Sequence, residues 1–266
     1  MLGAIIGDIV GSRFERESIK TKDFELMPRD KGCRPTDDSV MSLAIAEAIL
    51  ACGGDYSRLE DQAIRSMRRM GRAYPAAGYG GRFGAWLTAP DPRPYHSYGN
   101  GAAMRVSPCG FAGGSLGEAL SLARAVTAVT HDHPEGMKAA EAVTSAIFLA
   151  RTGASMEEIR GRIVGDYYPI DFTLDEIRDT YAFDMSCQGS VPQAFEAFFE
   201  STDFEDAIRN AISLGGDSDT IGAITGSMAQ AYYGVPASLR AQALSFLDET
   251  QLGILRAFEA AFPPEI

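Results

Sequence analysis

Apolar positions recur at helical spacing along most of this 266-residue chain. Residues 40–51 (VMSLAIAEAILA) are helix formers with no breaker before Gly53-Gly54. Within residues 116–129, Leu120, Ala123, Val126 and Val129 repeat every three residues, which one helix face can present. The same pattern predicts helices over residues 136–150, 192–200, 204–214, 221–233 and 237–262. Alternating strand patterns and a βαβ rhythm are absent, so the expected class is all-α. The first segment adds a second signal, because Gly3, Gly7 and Gly11 stand four apart on one helix face. The helix after Asp219 is also rich in small residues (Gly222, Ala223, Gly226, Ala229). The two are expected to pack closely and draw the residues at their ends together. The membrane reading of the glycine spacing fails, since the segment is short and contains Asp8.

Residues 74–114 break the pattern. Glycines at 78, 80, 81, 84, 99, 101, 110, 113 and 114 alternate with five prolines and several aromatic side chains. This stretch is expected to lack regular elements and to form an ordered, functional loop. No repeat, low-complexity tract or composition break divides the chain, so a single domain over residues 1–266 is expected. With 45% hydrophobic and 23% charged residues the composition is that of a globular protein. A net charge of −12 leaves no basic stripe, which argues against nucleic acid as a partner. Cys33, Cys52, Cys109 and Cys187 form no CxxC pair and read as free thiols. The start has no basic region, and no apolar run approaches the ~20 residues of a membrane span. A cytoplasmic protein without a membrane partner, and a monomer, is expected.

Charge patterning supplies the chemistry. Thr36-Asp37-Asp38-Ser39 and Gly215-Gly216-Asp217-Ser218-Asp219-Thr220 each stand where a loop turns into a helix. Helix capping explains either cluster taken alone. Two such clusters in one acidic helical chain would place four carboxylates together, and those need a cation between them. Hard oxygen ligands of this kind suit divalent metals. Glu15 is a candidate further anion. The loop Gly99-Asn100-Gly101-Ala102 could offer backbone amides to a phosphate, although it matches neither the P-loop nor the dinucleotide fingerprint. His131-Asp132-His133 lacks a further nearby nitrogen ligand, so a helix-terminal or substrate-contact role precedes zinc. No Gly-x-Ser-x-Gly elbow or Cys/His pairing supports a covalent nucleophile.

Taken together, GAIIGDIVGSRFE (3–15), PTDDSVMSLAIAEAIL (35–50), GYGGRFGAW (78–86), GNGAAMRVSPCG (99–110), AVTHDHP (128–134) and SLGGDSDTIGAITGSMAQAYYG (213–234) resemble the ADP-ribosylglycohydrolase family. They follow the family's order and cover nearly the whole chain. The resemblance implies a compact, orthogonally packed multi-helix bundle with a cleft for two Mg2+ or Mn2+ ions. It assigns metal ligation to Thr36, Asp37, Asp38, Asp217, Asp219 and Thr220. Glu15 matches a catalytic glutamate that some members carry, and Asp37 is the alternative acid or base. Gly99, Asn100, Gly101 and Ala102 match the loop that contacts ADP-ribose, His131 a ligand-contacting histidine, and Tyr79, Gly80 and Phe83 the loop bordering the substrate.

The activity implied is hydrolysis of the C1″ glycosidic bond of ADP-ribose, arginine-linked or otherwise conjugated, reversing ADP-ribosylation and protecting against an ADP-ribosylating toxin. Two alternatives stay open: a catalytically silent ADP-ribose-binding or structural relative, and a two-metal nucleotide phosphoesterase. The group carrying the ADP-ribose cannot be read from these residues.

Overall fold

The computed structural model describes residues 1–263; the last three residues of the expected 1–266 domain lie outside the described residues. Among the described residues fifteen α-helices follow one another: α1 (Leu2–Gly11), α2 (Asp37–Cys52), α3 (Leu59–Ala73), α4 (Gly81–Thr88), α5 (Gly101–Met104), α6 (Ser107–Ala112), α7 (Leu116–Ala128), α8 (Pro134–Arg151), α9 (Met156–Asp166), α10 (Leu174–Ile177), α11 (Cys187–Phe199), α12 (Phe204–Ser213), α13 (Ser218–Tyr233), α14 (Ala237–Leu244) and α15 (Glu249–Ala261). Among the described residues there is no strand, only an isolated bridge between Gly99 and Ser186. The all-α expectation holds.

Two helices form the centre. Every residue of α1 is buried, as is every residue of α13 from Ser218 to Ala231. A helix buried on all sides needs apolar or very small residues around its whole circumference, and both sequences supply them. The expected contact between them is present and is made backbone to backbone. A Cβ placed on Gly7 would lie 1.9 Å from the Gly222 carbonyl oxygen, and one on Gly3 2.1 Å from that of Gly226. Around this pair the other helices close a single apolar core that runs from Met1 to Phe258.

Several boundaries differ from the expectation. The stretch 237–262 is two helices, the first ending at Leu244 and the second capped at its start by Asp248. Its carboxylate accepts from the Gln251 amide while Gln251 accepts from the Asp248 amide, a reciprocal cap. Helix α11 begins at Cys187 rather than 192, capped by Ser186, and runs through Pro192. Helices α3 and α9 stand where no helix was expected. The former is strongly amphipathic, with Arg65, Arg68, Arg69 and Arg72 on a polar face over buried Ala63, Met67 and Met70.

The largest correction concerns residues 74–114, where α4, α5 and α6 stand in place of a structureless loop. Helices this short are not stable in isolation and depend on tertiary packing. Here Phe83, Trp86, Leu87, Ala102, Ala103, Cys109 and Phe111 are all buried in the core. Arg68 and Arg72 donate to the Leu87 carbonyl, and Arg68 also to that of Ala89, which satisfies the C-terminal end of α4.

The α1–α13 contact makes a sharp prediction. Alanine normally stabilises a helix by about 1 kcal/mol over glycine. Gly161→Ala on α9, where nothing lies within 4 Å of the added carbon, should follow that rule. Gly7→Ala should instead cost about 3 kcal/mol or more, because the two backbones must separate. Urea denaturation of the two variants checks the opposite signs.

Candidate functional site

The α1–α13 crossing carries three chain segments to one point. Asp8 lies on the last turns of α1, Thr36 is the residue before α2, and Asp217 the residue before α13. Neither Thr36 nor Asp217 caps its helix with its side chain. Capping, sufficient for either cluster in isolation, is therefore not what these side chains do. The turn into α13 depends on Gly215 and Gly216, whose φ values of +66° and +70° are left-handed and disfavour other residues. That bend aims Asp217 and Asp219 back at α2.

Carboxylate oxygens of Asp8, Asp38 and Asp219 lie within 4.8 Å of one another, and all three residues are buried. Asp8 was not singled out in the sequence. Its carboxylate is fully buried and accepts from the Thr36 amide (2.8 Å), the Thr36 hydroxyl (2.6 Å), the Ser39 amide (3.0 Å) and the Ser39 hydroxyl. Asp8 thus ties the end of α1 to the start of α2. Because the Thr36 hydroxyl hydrogen is directed to Asp8, lone pairs of the same oxygen remain for a cation. Asp38 Oδ2 accepts a long 3.4 Å contact from the Thr220 hydroxyl and stands 3.4 Å from Thr36 Oγ1, while its buried Oδ1 has no partner. Asp217 accepts from the Asn100 side-chain amide at 2.6 Å.

Among the described residues no Lys, Arg or His forms an ion pair with Asp8, Asp37, Asp38, Asp217 or Asp219. Burial pushes their pKa values up, and for Asp37, Asp38 and Asp219 the charges of neighbouring aspartates add to it. Asp8 rises to about 6 through burial, against the pull of its Ser39 and Thr36 hydrogen bonds. Asp37 rises to about 7 through burial and then the charge of Asp8. Asp38 and Asp219 rise well above the ordinary range, by burial and then each by a neighbouring aspartate. Asp217 rises as well, chiefly by burial. An orphaned buried oxygen, converging carboxylates and no protein cation together fit a divalent metal. The donor set passes that test.

Asp38 and Asp219 of this cluster lie in the floor of a cavity of about 290 Å³, with Asp8 buried behind them. Asp37, Asp38, Asp217, Asp219, Thr220 and Glu15 line it, as do Gly80, Phe83, Gly99, Asn100, Gly101 and His131. Three expected residues do not. Thr36 sits behind the floor against Asp8, and Ala102 is wholly buried in the core. Tyr79 packs its ring 5.7 Å from that of Phe83 and buries its hydroxyl without a partner. In the 99–102 loop three of the four amides already have internal acceptors, which limits what it can offer a phosphate. Those of Gly99, Asn100 and Ala102 donate to Ser97 Oγ, the Met185 carbonyl and the Gly99 carbonyl. Besides Asp8, sequence reasoning missed Arg105, Tyr95, Phe183 and Met185 in the wall. Arg105 belonged to a quoted motif, yet nothing in its spacing signalled that it would be buried.

The ADP-ribosylglycohydrolase family model matches residues 1–260. The chain is 26% identical to ADP-ribosylarginine hydrolase Tri1 of Pseudomonas putida, over 88% of this chain and 70% of that protein. It is also 26% identical to ADP-ribosylhydrolase ARH3 of Xenopus tropicalis, over 95% and 92% of the two chains. ADP-ribosyl-[dinitrogen reductase] glycohydrolase of Rhodospirillum rubrum is 28% identical over 75% of this chain and 69% of that one. A solved structure described as an ADP-ribosylglycohydrolase-related protein complex superposes with a TM-score of 0.71 at 26% identity, covering all of this chain and 96% of that one.

The uncompensated floor predicts an unusual pH dependence. A carboxyl whose pKa is higher folded than unfolded binds more protons in the folded state, so stability falls as pH rises through that interval. For Asp37 and Asp8 the interval runs from 3.8 up to about 7 and about 6. Chelator-treated protein should therefore lose on the order of a few kcal/mol between about pH 5 and pH 8. Added Mg2+ or Mn2+ should restore more at the alkaline end. Thermal melts with and without chelator across that range check both trends.

Proposed function

The chain belongs to the ADP-ribosylglycohydrolase family, and on that footing we propose that it hydrolyses the C1″ glycosidic bond of ADP-ribose attached to a protein side chain, arginine first among the candidates, with two Mg2+ or Mn2+ ions as cofactors. The observation that carries this reading is the buried cluster of Asp8, Asp38 and Asp219 at the base of the cavity, whose charges have no counter-ion among the described residues. Thr36, Asp37, Asp38, Asp217, Asp219 and Thr220 would hold the metals, with Asp8 behind them as the acceptor that orients Thr36 and Ser39. Bound there, divalent ions supply Lewis-acid orientation of the ribose hydroxyls and of water.

The protein's own groups do the rest. Asp37 is only partly buried and lines the cavity beside the other acids, which makes it the first candidate for taking a proton from the attacking water. Glu15, in the same wall, is the second candidate for proton transfer. Asn100 bridges Asp217 and Ser190 and so fixes the aspartate's orientation from behind. His131 and the 99–101 loop line the cavity where the remainder of the ligand would lie, with Gly80 and Phe83 at its border.

Incubation with ADP-ribosyl-arginine protein and Mg2+ or Mn2+ should release free ADP-ribose. AMP or phosphate would indicate phosphoester cleavage instead, and no release from arginine-, serine- or nucleic-acid-linked substrates would indicate a binding protein. Asp38→Asn and Asp219→Asn should each lower turnover by about 100-fold or more, above the usual effect of an outer-shell change. The same variants should be more stable than the parent in chelator at alkaline pH, because each removes one repelling charge. Turnover assays and thermal melts on the same samples separate this trade from simple unfolding.

A further inference from the structure

Arg105 is the largest of the fully buried side chains among the described residues, 1% exposed, yet it forms no ion pair there. Burial lowers its pKa to about 10, so it remains a guanidinium at neutral pH. A buried cation without an anion is costly and is expected to be held by other means. Phe83 provides one ring face, 5.7 Å from its centre. The other partners are Thr130, which is fully buried, and His131, which is 5% exposed. Arg105 Nη2 donates to Thr130 Oγ1 at 2.5 Å and stands 3.3 Å from His131 Nδ1. Thr130 Oγ1 in turn is 2.7 Å from the same Nδ1.

Donor counting orders this triad. A guanidinium has donors and no acceptor, while a neutral imidazole has one of each. With Arg105 beside it, Nδ1 can accept favourably but cannot carry a proton without placing two donors face to face. Thr130 Oγ1 receives the Arg105 hydrogen and turns its own toward Nδ1. The single ring proton is then on Nε2. That edge lies over the cavity loop, 3.3 Å from the Cβ position of Gly101 and 3.7 Å from that of Gly99. The ring cannot swing away freely, since the His131 amide donates to the Thr127 carbonyl and Tyr95 packs 5.9 Å from the imidazole. Burial and the Arg105 charge both disfavour a second proton.

We propose that Arg105 and Thr130 are positioning residues that hold His131 as a neutral imidazole with its one proton on Nε2, an obligate donor to an oxygen of the bound ligand. The identity of that ligand as ADP-ribose rests on the function proposed above; the tautomer does not. A fixed donor here favours ligands presenting a lone pair at this point, such as a phosphate or ribose oxygen, and disfavours ligands presenting a donor.

Protein labelled with 15N-histidine tests this directly, by long-range proton–nitrogen correlation at neutral pH on the ligand-free chain. The chain has three histidines, so His96→Gln and His133→Gln complete the assignment. The expected pattern for His131 is an unprotonated Nδ1 and a protonated Nε2. The double variant Arg105→Met with Thr130→Val, which removes both donors facing Nδ1, should move part of the proton to Nδ1 and weaken ADP-ribose binding about tenfold by calorimetry, near 1.4 kcal/mol. Thr130→Ser, which keeps the hydroxyl, should match the wild type in both. A wild-type proton on Nδ1 would overturn the proposal, as would a double variant matching the wild type in tautomer and affinity. Absence of ADP-ribose binding by the wild type would instead count against the functional reading, and the tautomer would still decide this one.

Discussion

The whole site depends on two helices that touch through their backbones. Because α1 and α13 meet glycine against glycine, the end of α1 and the start of α13 are forced into the same small volume. A Cβ on Gly11 would lie 2.4 Å from the Ser218 carbonyl oxygen and 2.5 Å from Asp219 Cα, at the point where the acidic floor begins. Any larger residue would push the start of α13 outward and move Asp219 away from Asp8 and Asp38. Backbone contact of this kind is rigid, since interiors pack densely and transmit strain rather than absorb it. Rigidity matters because the groups being held together repel one another.

That repulsion is the second half of the account. Folding places Asp8, Asp38 and Asp219 where burial destabilises their ionised forms, and neighbouring aspartates destabilise those of Asp38 and Asp219 further. A protein can relieve such a cluster with a lysine or arginine, with protons or with a metal. The first is absent among the described residues, and the second holds only below neutral pH for Asp8 and Asp37. Arg105, also buried in the cavity wall, is turned to Thr130 and His131 instead. The fold therefore concentrates negative charge at the floor while the wall supplies a neutral, oriented donor. Both arrangements are preorganised, so a ligand meets groups already in place.

Much of this was legible in the sequence. The glycine spacing at 3, 7 and 11 and the small residues at 222, 223, 226 and 229 foretold the helix pair, because close approach leaves no other choice of residue. The paired acidic clusters foretold the floor for a similar reason: alternate acids at two helix starts exceed what capping requires. Other features were hidden. Asp8 read as one acid in an apolar helix, and only the tertiary fold reveals that Thr36 and Ser39 fill its hydrogen-bonding capacity. The short helices α4, α5 and α6 have glycine-rich local sequences, and packing overrides that local preference. Tyr79 matched a motif by position, but its ring turns toward Phe83 rather than into the cavity.

The central claim is that the buried floor is completed by a divalent cation which displaces protons. Calorimetric titration of chelator-treated protein with MnCl2, in buffers of differing ionisation enthalpy, measures binding and proton release together. The account predicts saturable binding with net proton release near pH 6 that diminishes by about pH 8, where aspartates with pKa values raised to about 6 and about 7 are already ionised. Absence of saturable binding, or binding with no proton release at either pH, would contradict it.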